Sequence, residues 1–289
     1  MIVRNLVVVL LLLLAGCRKM VYDDFPPFKK IPVINGYIND EGIIAVHVSF
    51  TASMSLKPIE PVNNALVFIS SGNVPIFLID EAVDGWYVGE VETAPNQSFT
   101  IKVTVPGFDD ITATTVIPEM PVVYNLNHRQ FAGADAEHML YGSLNFNLRN
   151  VPGKPLFYKA AIFQILDTTA QEARIVEMRD HLLLNEGLQI PLFTNELIQG
   201  NSYNMTLNYS HNTTAVHHPS QLHPIFLELK AVSRDYYLFH RSMELYKAGR
   251  YPAFSLQPIH AVPLYSNTSS GYGIFMAYST YRSEIFYPQ

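Results

Sequence analysis

The chain has 289 residues, with 19 Lys and Arg against 25 Asp and Glu, and a single cysteine. Charged residues make up only 15% while Phe and Tyr number 17 each, a balance that fits a β protein better than a helical one. The acidic residues are scattered with no basic stripe, which argues against nucleic acid as a partner, and one cysteine excludes an intrachain disulfide, so burial has to supply the stability.

Arg4 precedes an unbroken apolar run, Leu6 to Leu14, that fits a secretory h-region and is too short to span a bilayer core. The segment Leu14-Ala15-Gly16-Cys17 resembles a bacterial lipoprotein box, and that resemblance implies cleavage before Cys17 and acylation of its thiol. Residues 1–16 are therefore expected to be a signal peptide. Arg18 occupies the position where an Asp would signal inner-membrane retention in some bacteria, so the expected address is the outer membrane, lipid-anchored. Loss of residues 1–16 removes Arg4, leaving 18 basic against 25 acidic residues and a net charge of −7. Residues 17–30, with Asp23-Asp24 and Pro26-Pro27, have little apolar periodicity and read as an extended tether.

From Ile31 the apolar period is two. Ile44, Val46, Val48 and Phe50 alternate with Ala45, His47 and Ser49, and Phe99, Ile101, Val103 and Val105 alternate with Thr100, Lys102 and Thr104. Further runs at 31–38, 65–70, 74–79, 86–91 and 111–117 are separated by turn residues such as Asp84-Gly85, so seven strands predict a β-sandwich over 31–117. Asp84-Gly85-Trp86-Tyr87 resembles carboxypeptidase-regulatory and transthyretin-like modules, in which an Asp-Gly turn leads an aromatic residue into the core; that role falls on Trp86 or Tyr87. Trp86 is read as core, with an exposed sugar-stacking indole as the alternative.

Pro118 and Pro121 break any ladder and mark the boundary, with a second sandwich over 122–289. Leu140, Leu144, Phe146 and Leu148 alternate with Tyr141, Ser143, Asn145 and Asn147, and the runs 157–166, 203–209 and 225–232 behave alike. Residues 171–184 leave strand and short helix both open. A helix is predicted over 234–248, with Ser233 as N-cap, Asp235 in the first turn and Gly249 at the left-handed C-terminal position. Tyr236, Phe239, His240, Met243 and Tyr246 are expected to form its inner stripe, with His240 a hydrogen-bonded core histidine. The fold class is thus mainly β: two tandem β-sandwich (transthyretin/Ig-like) domains, the second with one inserted α-helix.

The chain ends with Leu264-Tyr265-Ser266-Asn267 and Gly271-Tyr272-Gly273-Ile274-Phe275, where glycines at 271 and 273 imply a bulge or a close backbone approach. With Pro32-Val33-Ile34-Asn35-Gly36-Tyr37-Ile38 and the lipoprotein box, this ending resembles the Bacteroidetes lipoprotein family called domain of unknown function 4249. Tyr272 stands where an aliphatic residue is expected, and Met276-Ala277 where small residues are usual. The resemblance implies a surface accessory in the company of a TonB-dependent outer-membrane receptor, or of an extracellular polymer handled by one.

No Gly-x-Ser-x-Gly elbow, His-Glu-x-x-His, phosphate loop or dinucleotide motif is present in the sequence, and no cofactor is expected. Glu90 and Glu92 on one strand face and Asp109-Asp110 in a turn read as solvated surface, not a glycosidase pair. His211, His217, His218 and His223 crowd one Asn/Thr/Ser/Pro-rich segment and are the candidate metal ligands, although their spacing matches no familiar site. Asp167-Thr168-Thr169 resembles an O-glycosylation acceptor motif of exported proteins in this bacterial group, with Thr168 the acceptor. A binding or assembly module is the expected function; a secreted hydrolase or a metal-binding protein using the 211–223 loop is the alternative.

Overall fold

Alternating burial organises the strands of the first half. The computed structural model describes residues 28–52, 58–72, 74–77, 83–211, 222–250 and 262–288. Cys17, the h-region, His217 and His218 lie outside the described residues. Met1–Lys30 forms one unit and Ile31–Gln289 a second, to which all that follows refers. The first half supplies β1 (Pro32–Asn39), β2 (Ile43–Phe50), β3 (Leu66–Ser71), β4 (Val74–Phe77), β5 (Trp86–Glu90), β6 (Ser98–Thr104) and β7 (Ile111–Val116). Every second residue points inward, so Ile34, Ile38, Val46, Val48, Ile101 and Val103 are wholly buried and share one core. Strands β4-β3-β6-β7 form a four-stranded sheet on one side of that core.

The second half supplies β8 (Val123–Ala134), β9 (Leu140–Arg149), β10 (Phe157–Leu166), β11 (Thr169–Glu172), β12 (Ile175–Val176), α1 (His181–Glu186), β13 (Leu192–Thr194), β14 (Ser202–Ser210), β15 (Ile225–Val232), α2 (Arg234–Arg250) and β16 (Tyr272–Arg282). Leu144, Phe146 and Leu148 of β9 meet Ile162, Leu227 and Leu229 of β10 and β15 in a second core, closed by the sheet β12-β14-β9-β8. The region left open between strand and helix holds both: β11, β12 and then α1, capped by Asp180, whose side chain accepts from the Leu182 N–H, and by Gly187 at φ 64°.

The two cores lean on one eight-stranded sheet, ordered β11-β10-β15-β16-β1-β2-β5 with β13 also on β10. Its central join is β16 beside β1, parallel, with Ile34 opposite Gly273 and Gly36 opposite Phe275. Phe275 and Ala277 of the last strand thereby enter the first core. The boundary expected at 118–121 is bridged in this way, and the Ser279 hydroxyl donates to the Pro118 carbonyl at 2.6 Å. The glycines at 271 and 273 meet a close approach, as expected: a Cβ on Gly273, at φ +119°, would lie 1.9 Å from the Ile34 carbonyl oxygen.

Helix α2 starts at its expected cap, where the Ser233 hydroxyl accepts from the Tyr236 N–H and also from the Ala277 N–H of β16. Two expectations need correction. Gly249 lies inside the helix instead of closing it. The inner face is Tyr236 and Tyr237 with Leu238 and Leu245, while Tyr246 is exposed and Phe239 is outside the packed cluster. The reason is that the Tyr237 hydroxyl donates to Glu186 of α1 at 2.6 Å, which turns that flank of the helix toward the protein.

Candidate functional site

The outward face of the β14-β9-β8 sheet is polar because strand parity makes it so. Leu144, Phe146 and Leu148 fill the core, so Ser143, Asn145, Asn147 and Arg149 must point away from it. Burial of Met205, Leu207 and Tyr209 likewise sends Ser202, Asn204, Thr206 and Asn208 outward. The register aligns these with residues of β8 in three rows: Tyr124–Asn147–Asn204, Asn127–Asn145–Thr206 and Arg129–Ser143–Asn208.

Side-chain hydrogen bonds lock the rows together. Asn145 Nδ2 donates to Asn204 Oδ1 at 2.7 Å and to Thr206 Oγ1 at 2.8 Å; Asn204 Nδ2 donates back to Asn145 Oδ1 at 3.0 Å and to Asn147 Oδ1 at 2.7 Å. The Tyr124 hydroxyl, on a ring that stands 41% exposed, donates to Ser202 Oγ at 2.6 Å. A concavity of about 300 Å³ opens among Asn127, Arg129, Ser143, Asn145 and Thr206, with no carboxylate among the residues that line it. Arg129 and Arg149 form no ion pair among the described residues, whereas Glu177 at the rim is held by Arg179 at 2.6 Å. The Asn145 and Asn204 donors are spent inside the network, which leaves such a face offering fixed carbonyl acceptors together with the amides of Asn127 and Asn147 to a polar ligand. In the sequence its signal is the recurrence of Asn, Ser or Thr at alternate positions on two strands, 143 to 147 and 202 to 208.

Of the histidines read as metal ligands, His211 and His223 lie among the described residues. The His211 Nε2–H donates to the Gln130 carbonyl at 3.0 Å, and its ring meets Tyr209 and Phe131 edge-on. Burial pushes its pKa below the ordinary histidine value. Its neighbour is His128, missed by the sequence reading, which shares a 2.8 Å hydrogen bond with the Tyr209 hydroxyl and whose pKa is also lowered, by burial and then by His211. His223 is half-buried just ahead of β15. Among the described residues no group of three His, Cys, Asp or Glu could hold a metal.

Trp86 is a correction: its indole is 45% exposed and packs 5.0 Å from the His47 ring, whereas Tyr87 is fully buried. Pairing of Tyr87 with Val46 fixes the parity of β5, and the inward place goes to the ring whose hydroxyl finds partners, donating to Val62 O and accepting from Ala65 N, each at 2.9 Å. His240 packs on Tyr236 at 4.2 Å and on Phe239 at 5.5 Å. Thr168 is exposed in the two-residue turn between β10 and β11, beside Asp167 at φ 54°. Asp110 is a solvated surface group, paired with Lys102 at 2.7 Å. A further cavity of about 440 Å³ is lined by residues 153–157, 194–196 and 198, where the Asn195 amide bonds Asn150 and the Lys154 carbonyl. Among the described residues no helix is long and apolar enough to cross a membrane.

Shared sheet, double core and polar outer face together define a mainly β protein with an exposed surface of ordered amides. The chain belongs to the family described as Domain of unknown function (DUF4249), whose model matches residues 20–284. No curated protein matches it. Similar solved structures include two of Salmonella alpha-2-macroglobulin, one a point mutant and one reacted with methylamine. Each is 9% identical with a TM-score of 0.23, over 72% of this chain and 14% of theirs, so the chain spans about one-seventh of those proteins.

Proposed function

We propose that the protein is a lipid-anchored accessory of the outer membrane or cell surface, held there through Cys17 and serving as a binding or assembly module beside a TonB-dependent receptor. The h-region and Leu14-Ala15-Gly16-Cys17 support the anchor. In this reading the two cores are tandem β-sandwiches of transthyretin/Ig-like type sharing their middle sheet, and the second presents the contact surface. The observation that carries the binding role is the amide face: Asn145, Asn147 and Asn204 hold one another in fixed rotamers on an exposed sheet surface. Rigid polar groups of this kind lose little side-chain entropy when a partner docks.

The anchor is tested by metabolic labelling with palmitate: label on the wild type and none on Cys17→Ser is the expected result, and label retained by the mutant overturns it. The module is tested by crosslinking in intact cells followed by mass spectrometry. A reproducible outer-membrane receptor or surface polymer is expected. Catalytic turnover of a small substrate without any partner would favour a hydrolase instead.

A further inference from the structure

We propose that the outer face of β14-β9-β8 binds an extended oligosaccharide carrying uronic acids; this rests on reading that face as the binding surface. Four properties point to this chemistry. Asn145 and Asn204 spend their amide hydrogens on neighbouring side chains and fix the rows, while the amides of Asn127 and Asn147 donate to no protein group among the described residues and so face the hydroxyls of a sugar, each both donor and acceptor. The charged side chains that β8 and β9 put on this face are Arg129, in the third row, and Arg149, opposite Ser202. The flanking carboxylates beyond β14 are engaged, Asp180 by the Leu182 and Thr206 N–H groups and the Tyr203 hydroxyl and Glu177 by Arg179, so the face complements negative charge, and a planar guanidinium matches a carboxylate in bidentate fashion. From Ser143, in the row of Arg129, to Arg149 is six residues of strand, roughly 20 Å, which suits a chain of several sugars. The exposed Tyr124 ring, oriented by its bond to Ser202, gives a pyranose face something to stack on between the two cations.

Other macromolecules fit less well. Backbone groups of β9 are consumed on both sides by β14 and β8, so an extended peptide cannot add to the middle of this sheet. Two arginines are few for a nucleic-acid backbone, on a chain whose formal net charge is −6.

The experiment uses the full chain extracted in detergent, with tetragalacturonic acid and neutral maltotetraose titrated by calorimetry. Tetragalacturonic acid is expected to bind, more weakly as salt rises. Asn204→Leu is expected to weaken it at least tenfold, and Arg129→Gln about tenfold with a shallower salt dependence, while maltotetraose binds at least tenfold more weakly to the wild type. The altered residues are exposed, and an unchanged melting temperature confirms that each variant folds. Equal binding of the two sugars, or binding indifferent to both substitutions, overturns the proposal. A photoreactive amino acid placed at position 127 separates this failure from that of the module itself. A protein crosslinked there in cells, with neither sugar bound in vitro, sinks the oligosaccharide and keeps the binding surface. No sugar and no crosslink sinks both.

Discussion

Tyr87 fixes the first core through one hydroxyl that serves two backbone groups, the carbonyl of Val62 and the N–H of Ala65, both in buried residues. Tyr87→Phe keeps the ring and strands both groups, so it should destabilise the protein by about 2 to 4 kcal/mol in denaturant unfolding; a loss under 0.5 kcal/mol would mean that water replaces the hydroxyl. His240 makes a second residue-scale prediction. Burial, with Lys159 and Lys247 adding to it and Glu244 opposing, lowers its pKa to about 4 from 6.5. A folded-state pKa below the unfolded value means that the unfolded chain binds the proton more readily, so stability is full above about pH 6.5 and falls as pH drops toward 4. The loss is at most about 3 kcal/mol, at about 1.4 kcal/mol per pH unit. Lowered values for His128 and His211 act in the same direction. Unfolding titrations of His240→Phe should show a shallower acid slope than the wild type.

At the scale of elements, the decisive pair is β1 and β16. Gly273 faces the Ile34 carbonyl so closely that no side chain fits, and Gly36 lies under the Phe275 ring with its own Cβ position 3.3 Å from it. Gly273→Ala should therefore cost about 3 kcal/mol or more, whereas Gly200→Ala, with nothing nearer than 3.7 Å, should fall within about 0.5 kcal/mol. Comparable melting temperatures for the two variants would contradict the strand pairing. Asn267 explains the Tyr-Ser-Asn segment: β16 pairs with β15 only from Tyr278 onward, and the Asn267 amide takes up the free Phe275 N–H and C=O at 2.9 and 2.8 Å. Strands with a clean period, such as β2 and β6, are legible in the sequence. Strand β8 is not, because register shifts after Tyr124 and after Arg129, with Asn125 at φ 53°, break the alternation that a reader looks for. Helix α2 is legible in place and cap but not in orientation, since Tyr and His serve on either flank of an amphipathic helix.

For the whole molecule the shared sheet sets the behaviour. Thr280 in β16 donates its N–H to the Asp40 carboxylate from 240 residues away, so the first core is completed only by the last strand. Contacts of that separation predict slow folding. A protease site introduced between Pro118 and Pro121 should yield two fragments on a denaturing gel that still elute as one species in native size exclusion, because β1–β16 pairing and the Ser279–Pro118 bond span the cut. Fragments that separate without denaturant would show two independent domains.

The sequence by itself determined the class of the molecule: a period of two in most of its runs, turns at Asp84-Gly85 and elsewhere, one capped helix, and two glycines that demand a close backbone approach. These are local properties, written in neighbouring residues. Only tertiary structure decided which backbone Gly273 approaches, which aromatic of the Trp86-Tyr87 pair turns inward, and that Asn145 and Asn204, 59 residues apart, form one surface. Each of those is a matter of strand partner and register, and nothing in a strand's own alternation names the strand it will lie beside.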